Sequence, residues 1–558
     1  MRLPELRRRA AGLGAQLDRR PGWQVLGALV VVQWLAVAAL VLSVRHNGWL
    51  FFQGGDQTWL YSGAYALSSG EIPASYIGYG WSYVLAPIAW AAGPSFLAAL
   101  PGIVLLQQLV LVPIAVLSVY GILASLAGRR LGYLGVAVWI AAPFAVIPLF
   151  DPRYHERYVE QFLPQALGLT GMADFPSMVL LLAAAYFIIH SLDTRDELEI
   201  ALGGILVGFA IGMKPSNAVF LAAPLLALVL ARRSTSLVVF SLALVPALTT
   251  LALWKYRGLG YLPVLGADGG TRIALGLGDL PVGSLRSDLG RYIDLDWGKI
   301  RSELDQIREY FYSVRILEWL PLAGTLAVAR RSVPKAAFLA AWLFAFLIVK
   351  GLSPQATVES GSFWRFVMPG FPPLLLYAAA LPLLVPAARL RVPAVAPLFR
   401  GRRRSQAFAV AVALFALGPA VLIAASDVVE GPSVMVHVTE GSMLPAEESW
   451  RPSLNQEREV VRLTWRQPAA GSSHPYYVIY RVRRESDTRC YPLGESQHSC
   501  TFDTDQAFFT RDRRLVDRPP AGIWTYRIGL AANWRDLPNF GDVVLLSAPV
   551  TVSVPNRR

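Results

Sequence analysis

Apolar runs recur along most of this chain, and short arginine-rich breaks punctuate them. They fall near residues 24–43, 100–127, 131–150, 175–193, 199–213, 217–231, 235–253, 316–329, 335–351, 368–387 and 406–425. A helix needs about 20 apolar residues to cross a bilayer, and several of these runs are shorter, so their bounds are approximate. With 54% hydrophobic residues, 16% charged residues and a mean hydropathy of +0.44, the chain reads as a polytopic α-helical membrane protein. About 11 transmembrane helices are expected.

The net charge of +13 would suit a nucleic-acid binder, but its distribution does not. The arginines sit in the breaks: Arg7 to Arg9, Arg129 and Arg130, Arg232 and Arg233, Arg330 and Arg331, and Arg402 to Arg404. That pattern marks cytoplasmic loops, and no nucleic-acid partner is needed to explain it. A retained first helix with a cytoplasmic N-terminus puts every one of these pairs inside, provided SYVLAPIAWAAG (82–93) is a short or re-entrant segment. The loops 44–99, 151–174, 254–315 and 352–367 are then external, as is everything after residue 426. The expected location is the plasma membrane, multi-pass.

The chain changes character after the last apolar run, which divides it into a membrane domain (1–425) and an extracytoplasmic domain (426–558). Alternating strands are expected at 460–465, 476–484, 522–530 and 543–554. Their order resembles a fibronectin type III or immunoglobulin-like β-sandwich, with Trp465 in its core and Tyr526 where a tyrosine corner forms. Cys490 and Cys500 are the two cysteines; their pairing would require an oxidising compartment.

The first expected external loop carries GGDQTWLYSGAYALSSGEIP, with Asp56 heading a segment whose Trp59, Leu60, Tyr61, Ala64, Tyr65 and Leu67 fit an interfacial amphipathic helix. Lys214 stands between two short apolar runs, where a charge is costly without a partner, and Pro215 and Ser216 break the helix there. It suits a phosphate, or it snorkels from a helix end. Arg365 has a similar claim through its forked donors, with Glu359 nearby as an ion-pair partner. Asp174, just before the apolar run at 175, is either a second functional acid or a helix N-cap.

Taken together, a helix, an acid at its external end, a surface helix and a Gly-rich return resemble the first external loop of GT-C-type membrane glycosyltransferases, of the protein mannosyltransferase and aminoarabinose transferase kind. Gln57 stands where those enzymes carry a second acid. The helix order, the second loop DPRYHERYVEQFLPQALGLTGMADFPSM and the segment ESGSFWRFVMPGFPPLLL, with Arg365, Pro369, Pro372 and Pro373, extend the resemblance over roughly residues 20–385. It implies a sugar donor on polyprenyl phosphate and a glycan, lipid or protein acceptor. Asp56 would be the general base, because the acceptor hydroxyl must lose a proton. Asp174 would orient the acceptor or act as a second acid. Lys214, Arg365, Arg153, His155, Glu156, Arg157 and Glu359 would serve substrate binding, although solvated charge also explains the 153–157 group. No cofactor and no metal set is assigned; Asp56 with Asp174 would suffice for a divalent cation if the fold united them. A transporter or flippase of lipid-linked saccharides, and a non-catalytic assembly protein, are the rival readings.

Overall fold

The computed structural model describes, short breaks aside, residues 17–43, 56–147, 162–259, 314–351, 362–385, 402–428, 446–531 and 543–555, with isolated residues and short strands elsewhere. The helices in chain order are α1 (Gly22–Ser43), α2 (Asp56–Ser68), α3 (Tyr79–Ala92), α4 (Phe96–Leu106), α5 (Val112–Ala127), α6 (Arg129–Ala145), α7 (Asp174–Thr194) and α8 (Glu197–Met213). They continue as α9 (Ala222–Leu230), α10 (Ser234–Leu259), α11 (Val314–Ala329), α12 (Val333–Val349), α13 (Ser362–Val367), α14 (Pro372–Ala380), α15 (Arg402–Ala411) and α16 (Gly418–Ala425). A π-helical turn at Gln107–Leu111 joins α4 to α5, a second at Val412–Leu417 joins α15 to α16, and a 3-10 segment, Pro215–Leu221, joins α8 to α9.

Among the described residues, five helical segments are long and apolar enough to cross a membrane: 22–42, 99–127, 174–194, 234–258 and 402–425. Six result if the bent pair Phe363–Gly370 and Pro372–Leu384 is one span; the two halves differ by 55°. Pro369, Pro372 and Pro373 lie at that break, and a proline removes the N–H that would carry the helix through. Shorter apolar helices occupy Pro215–Leu230, Trp319–Ala329 and Val333–Val349. The expected surface helix after Asp56 does form, as α2, but its environment differs. Leu60, Tyr61, Ala64, Ala66 and Leu67 are all buried, so it is enclosed by protein on several sides.

The chain divides into two compact units. One comprises Met1–Phe51, Val104–Ala252 and Leu262–Val421; among the five candidate spans α7 is the most enclosed, buried along most of its length. Close approach builds it: a Cβ on Gly121 of α5 would lie 2.2 Å from the Tyr186 ring on α7, so no larger residue fits. An edge-to-face aromatic group of Phe220, Phe338 and Trp342 fixes α12 against the 3-10 segment, with Phe220 and Trp342 5.0 Å apart. Trp342 also donates Nε1–H to the Pro369 carbonyl at 2.8 Å, so α12 braces the proline break as well.

The other unit comprises Phe52–Ile103, Leu253–Tyr261 and Leu422–Arg558. In it α2 packs on α3 with Gly63 against Ser82, whose hydroxyl donates to the Leu60 carbonyl at 2.8 Å. A short parallel pair ties distant segments: β1 (Glu71–Ile72) runs beside β2 (Asp427–Val428), and Asp427 N–H donates to the Gly70 carbonyl at 2.8 Å. Lys255 and Trp254, at the end of α10, both donate to the Ile77 carbonyl, at 2.7 and 3.1 Å.

The C-terminal stretch forms antiparallel sheets from β3 (Ser453–Glu457), β4 (Val460–Thr464), β5 (Tyr476–Arg483), β6 (Thr488–Pro492), β7 (His498–Phe502), β8 (Thr504–Thr510), β9 (Arg514–Asp517), β10 (Gly522–Ala531), β11 (Val543–Ser547) and β12 (Val550–Val554). β9, β4 and β3 make one sheet; β8, β5 and β10 make another, which β12 and β11 extend along the far edge of β10. The run expected at 543–554 splits at Ala548 and Pro549, where Ala548 N–H leaves the ladder for the Trp450 carbonyl at 3.0 Å. Alternate residues of both sheets meet in one core: Val461, Leu463 and Trp465 with Tyr477, Ile479, Trp524, Tyr526 and Ile528. Strand pairing sets Cys490 opposite Cys500 on β6 and β7. Their side chains lie outside the described residues.

This core encloses an ionic network. Arg481 gives both Asp517 oxygens an N–H, at 3.0 and 2.8 Å, and stacks 4.8 Å over the Trp524 ring. Tyr526 donates its hydroxyl to Asp517 at 2.7 Å, a carboxylate partner in place of the backbone group that a tyrosine corner would use. Burial, and then the adjacent Asp517 charge, push this phenol above its ordinary range, so it stays a donor. Asp517→Ala leaves Arg481 buried without its carboxylate and is expected to cost about 3–5 kcal/mol of local stability. Tyr526→Phe is expected to cost about 1.5–3 kcal/mol. Urea titration of the full chain, read as protease sensitivity of the 446–555 region, checks both; a wild-type midpoint for Asp517→Ala would contradict the network's role.

Candidate functional site

Three of the polar residues singled out in the sequence meet in the first unit, from segments far apart in the chain. Asp174 is the first residue of α7 and is 2% exposed. Its peptide neighbourhood is fixed locally: the Ser177 hydroxyl donates to the Asp174 carbonyl at 3.0 Å. Lys214 ends α8 in an extended conformation and caps the 3-10 segment that Pro215 opens. Asn217 holds this break in shape, with its N–H on the Lys214 carbonyl at 2.8 Å and its side-chain amide on the Ala210 carbonyl at 2.9 Å. Arg365 projects from α13, the short helix before the proline break.

Lys214 Nζ donates to Asp174 Oδ1, and Arg365 Nε donates to Asp174 Oδ2 at 3.3 Å. The Phe366 ring lies beside both cations, 5.5 Å from Lys214 Nζ and 5.8 Å from Arg365 Cζ. The side chains of Lys214 and Arg365 keep 17% and 22% of their surface accessible, against 3% for Asp174. The carboxylate is therefore the enclosed member, and the two cations are the reachable ones. Arg365 contacts the carboxylate through Nε alone, so the pairing is not bidentate.

An apolar wall adjoins the arginine. Phe363 and Val367 of α13 join Val37 and Leu40 of α1 and Leu163, Leu167 and Leu169 in one cluster. Partly buried Phe162, Trp364 and Phe371 pack on it, with ring centroids 6.0 to 6.2 Å apart. Cations that surround one carboxylate beside an aromatic wall suit an anion with an apolar tail. They do not suit a metal ion, since both Asp174 oxygens already face cations. Among the described residues, no group of three or more His, Cys, Asp or Glu is placed to hold a metal.

Asp56 begins α2, in the other unit, and its side chain lies outside the described residues. Arg153, His155, Glu156, Arg157 and Glu359 also lie outside them. Among the described residues Arg365 pairs with Asp174, 191 positions away. Sequence reasoning passed over Gln107 and Gln108, which stand inside an apolar run that otherwise looks like any spanning helix.

No family model matches the chain, and no curated protein matches it. Among solved structures it is similar to the oligosaccharyltransferase of Archaeoglobus fulgidus in its apo form, at a TM-score of 0.36 and 15% identity, over 72% of this chain and 56% of that one. The archaeal oligosaccharyltransferase AglB from Archaeoglobus fulgidus, in complex with an inhibitory peptide and a dolichol-phosphate, gives a TM-score of 0.34 and 14% identity, over 73% and 56%. The chain thus spans little more than half the length of these structures. Likeness this distant assigns neither a residue nor an activity, and the site stands on its own geometry.

Proposed function

We propose that the chain is an integral membrane glycosyltransferase that takes a sugar from a polyprenyl-phosphate donor. The reading rests on one observation above all, the buried Asp174 that holds Lys214 and Arg365 side by side next to an aromatic wall. In the reaction, an acceptor hydroxyl oxygen attacks the anomeric carbon and the bond from that carbon to the phosphate oxygen breaks. The bonding pair leaves with the phosphate, and Lys214 and Arg365 neutralise the charge that develops there. The acceptor proton goes to a carboxylate base, for which Asp56 is the candidate. A single displacement inverts the anomeric centre. The acceptor is a glycan, a lipid or a protein on the outer face of the plasma membrane.

Sugar transfer by purified protein, from radiolabelled polyprenyl-phosphate sugars to membrane or wall acceptors, tests this directly. Lys214→Ala and Arg365→Ala are each expected to lower transfer by about 10²–10³-fold. Asp56→Ala is expected to lower it by about 10²–10⁴-fold. Transfer that survives Asp56→Ala would move the base elsewhere. No transfer across a broad donor panel, together with movement of unchanged lipid between leaflets, would replace the transferase with a flippase.

Asp174 has a separate expected signature. Asp174→Asn keeps the shape but removes the counter-charge from two largely buried cations, and is expected to cost about 3–5 kcal/mol of stability. Thermal unfolding in detergent checks it; a melting temperature equal to that of the wild type would show that the carboxylate is not what holds the cations.

A further inference from the structure

Two consecutive glutamines, Gln107 and Gln108, are buried in the helical segment 99–127, at 0% and 9% exposure. Successive residues of an α-helix point about 100° apart, so a regular helix would not aim both at one target. Here they open the π-helical turn Gln107–Leu111, and both reach the segment that leads into Asp174. Gln107 Nε2 donates to the Thr170 carbonyl at 2.6 Å. Gln108 Nε2 donates to the Leu167 carbonyl at 2.6 Å and to the Gly168 carbonyl at 3.3 Å.

That segment is shaped to lie against the turn. Gly168 has φ +69°, and a Cβ there would come within 2.8 Å of the Phe175 ring and 3.3 Å of Gln107 Cβ. The N–H groups of Leu167, Gly168 and Leu169 are satisfied within the segment, by the carbonyls of Leu163, Gln165 and Pro164. The carbonyls that point the other way are those the glutamines take. Trp34 of α1 donates to the Gln108 carbonyl at 2.9 Å, so the turn is itself tied to a second helix. Among the described residues the amide oxygens of both glutamines have no hydrogen-bond partner, so towards these residues each acts as a donor alone.

We infer that Gln107 and Gln108 are positioning residues for the anion site. By clamping residues 167–170, four positions before Asp174, they fix where α7 begins and hence where its carboxylate presents Lys214 and Arg365. This inference rests on the phosphate-binding reading of the site. Satisfying stray carbonyls would by itself be a structural role, and one feature separates the two: a positioning effect must act through the cations.

The test measures binding of undecaprenyl phosphate to the full chain in nanodiscs. Gln107→Glu and Gln108→Glu keep size and remove the donors, setting an acceptor against a carbonyl. Each is expected to weaken binding about tenfold. Hydrogen exchange should rise in residues 163–173 and stay unchanged in α8 and α12. In a Lys214→Ala, Arg365→Ala background the glutamine changes should have no further effect, since interacting sites are not additive. Wild-type binding by the glutamine variants, with binding lost in the cation variant, would overturn the positioning role and leave the anion site standing. An undiminished glutamine effect in the cation-free background would also overturn it, as a general structural effect. Unaltered binding by the cation variant would overturn the anion-site reading and this inference with it.

Discussion

The site in the first unit depends on one enclosed carboxylate. Asp174 is the least exposed member of its cluster, and each of its oxygens faces a different cation from a different part of the chain. Taking two cations largely out of water costs several kcal/mol, and the Asp174 carboxylate offsets part of that cost for Lys214 and Arg365. The carboxylate also sits at the first turn of α7, where free N–H groups favour a negative charge. The break after α8, the short helix α13 and the start of α7 thus converge on two oxygen atoms.

The opposite end of α7 is anchored as firmly. Its last turn and the link to α8 read HSLDTRDELE, and most of the polar side chains in that stretch are engaged. Asp193 accepts from Lys335 of α12 at 2.6 Å, Glu197 accepts from Ser236 of α10 at 2.7 Å, and Asp196 meets Arg404 of α15. Arg233 donates to the Ser191 and Leu192 carbonyls at 2.6 and 2.8 Å, and buried Glu199 takes both His190 and Thr194. Three segments therefore grip α7 itself at one terminus, and two more hold the link and the start of α8, while the glutamine turn and the cations fix the other end. A helix held at both ends transmits little slack to a side chain at its first residue.

How much of this was legible depends on the range of the interaction. Lys214 and Arg365 stood out because a charge amid apolar residues is conspicuous in sequence, and both belong to the cluster. Asp174 was visible as an acid at a helix start, but its pairing with Arg365 was not, since no local pattern links positions 191 apart. The strands of the C-terminal region followed from period-two alternation, which is a local signal, and Trp465 lies in the core as its position predicts. The amphipathic reading of α2 failed because aromatic residues at an interface and aromatic residues in a core share one pattern; only packing against α3 tells them apart. Gln107 and Gln108 were hidden by their neighbours, for two amides scarcely lower the hydropathy of a run this apolar.

The charge count of the cluster bears on what it can receive. Asp174 carries one negative charge and touches two cations. An arriving phosphate need not displace the carboxylate, because the amino and guanidinium groups keep accessible surface that Asp174 lacks. It adds negative charge where positive charge is already assembled and already desolvated in large part, so the main cost of building the site has been met in folding. The same arithmetic turns against a neutral or cationic ligand, which would gain nothing from the cations and would lose its own hydration. Beside them the Phe162, Trp364 and Phe371 rings offer surface that an inorganic anion could not use. Under the proposed function, the charge favours a phosphate and the wall favours one with a hydrocarbon chain, the combination that a lipid carrier would bring.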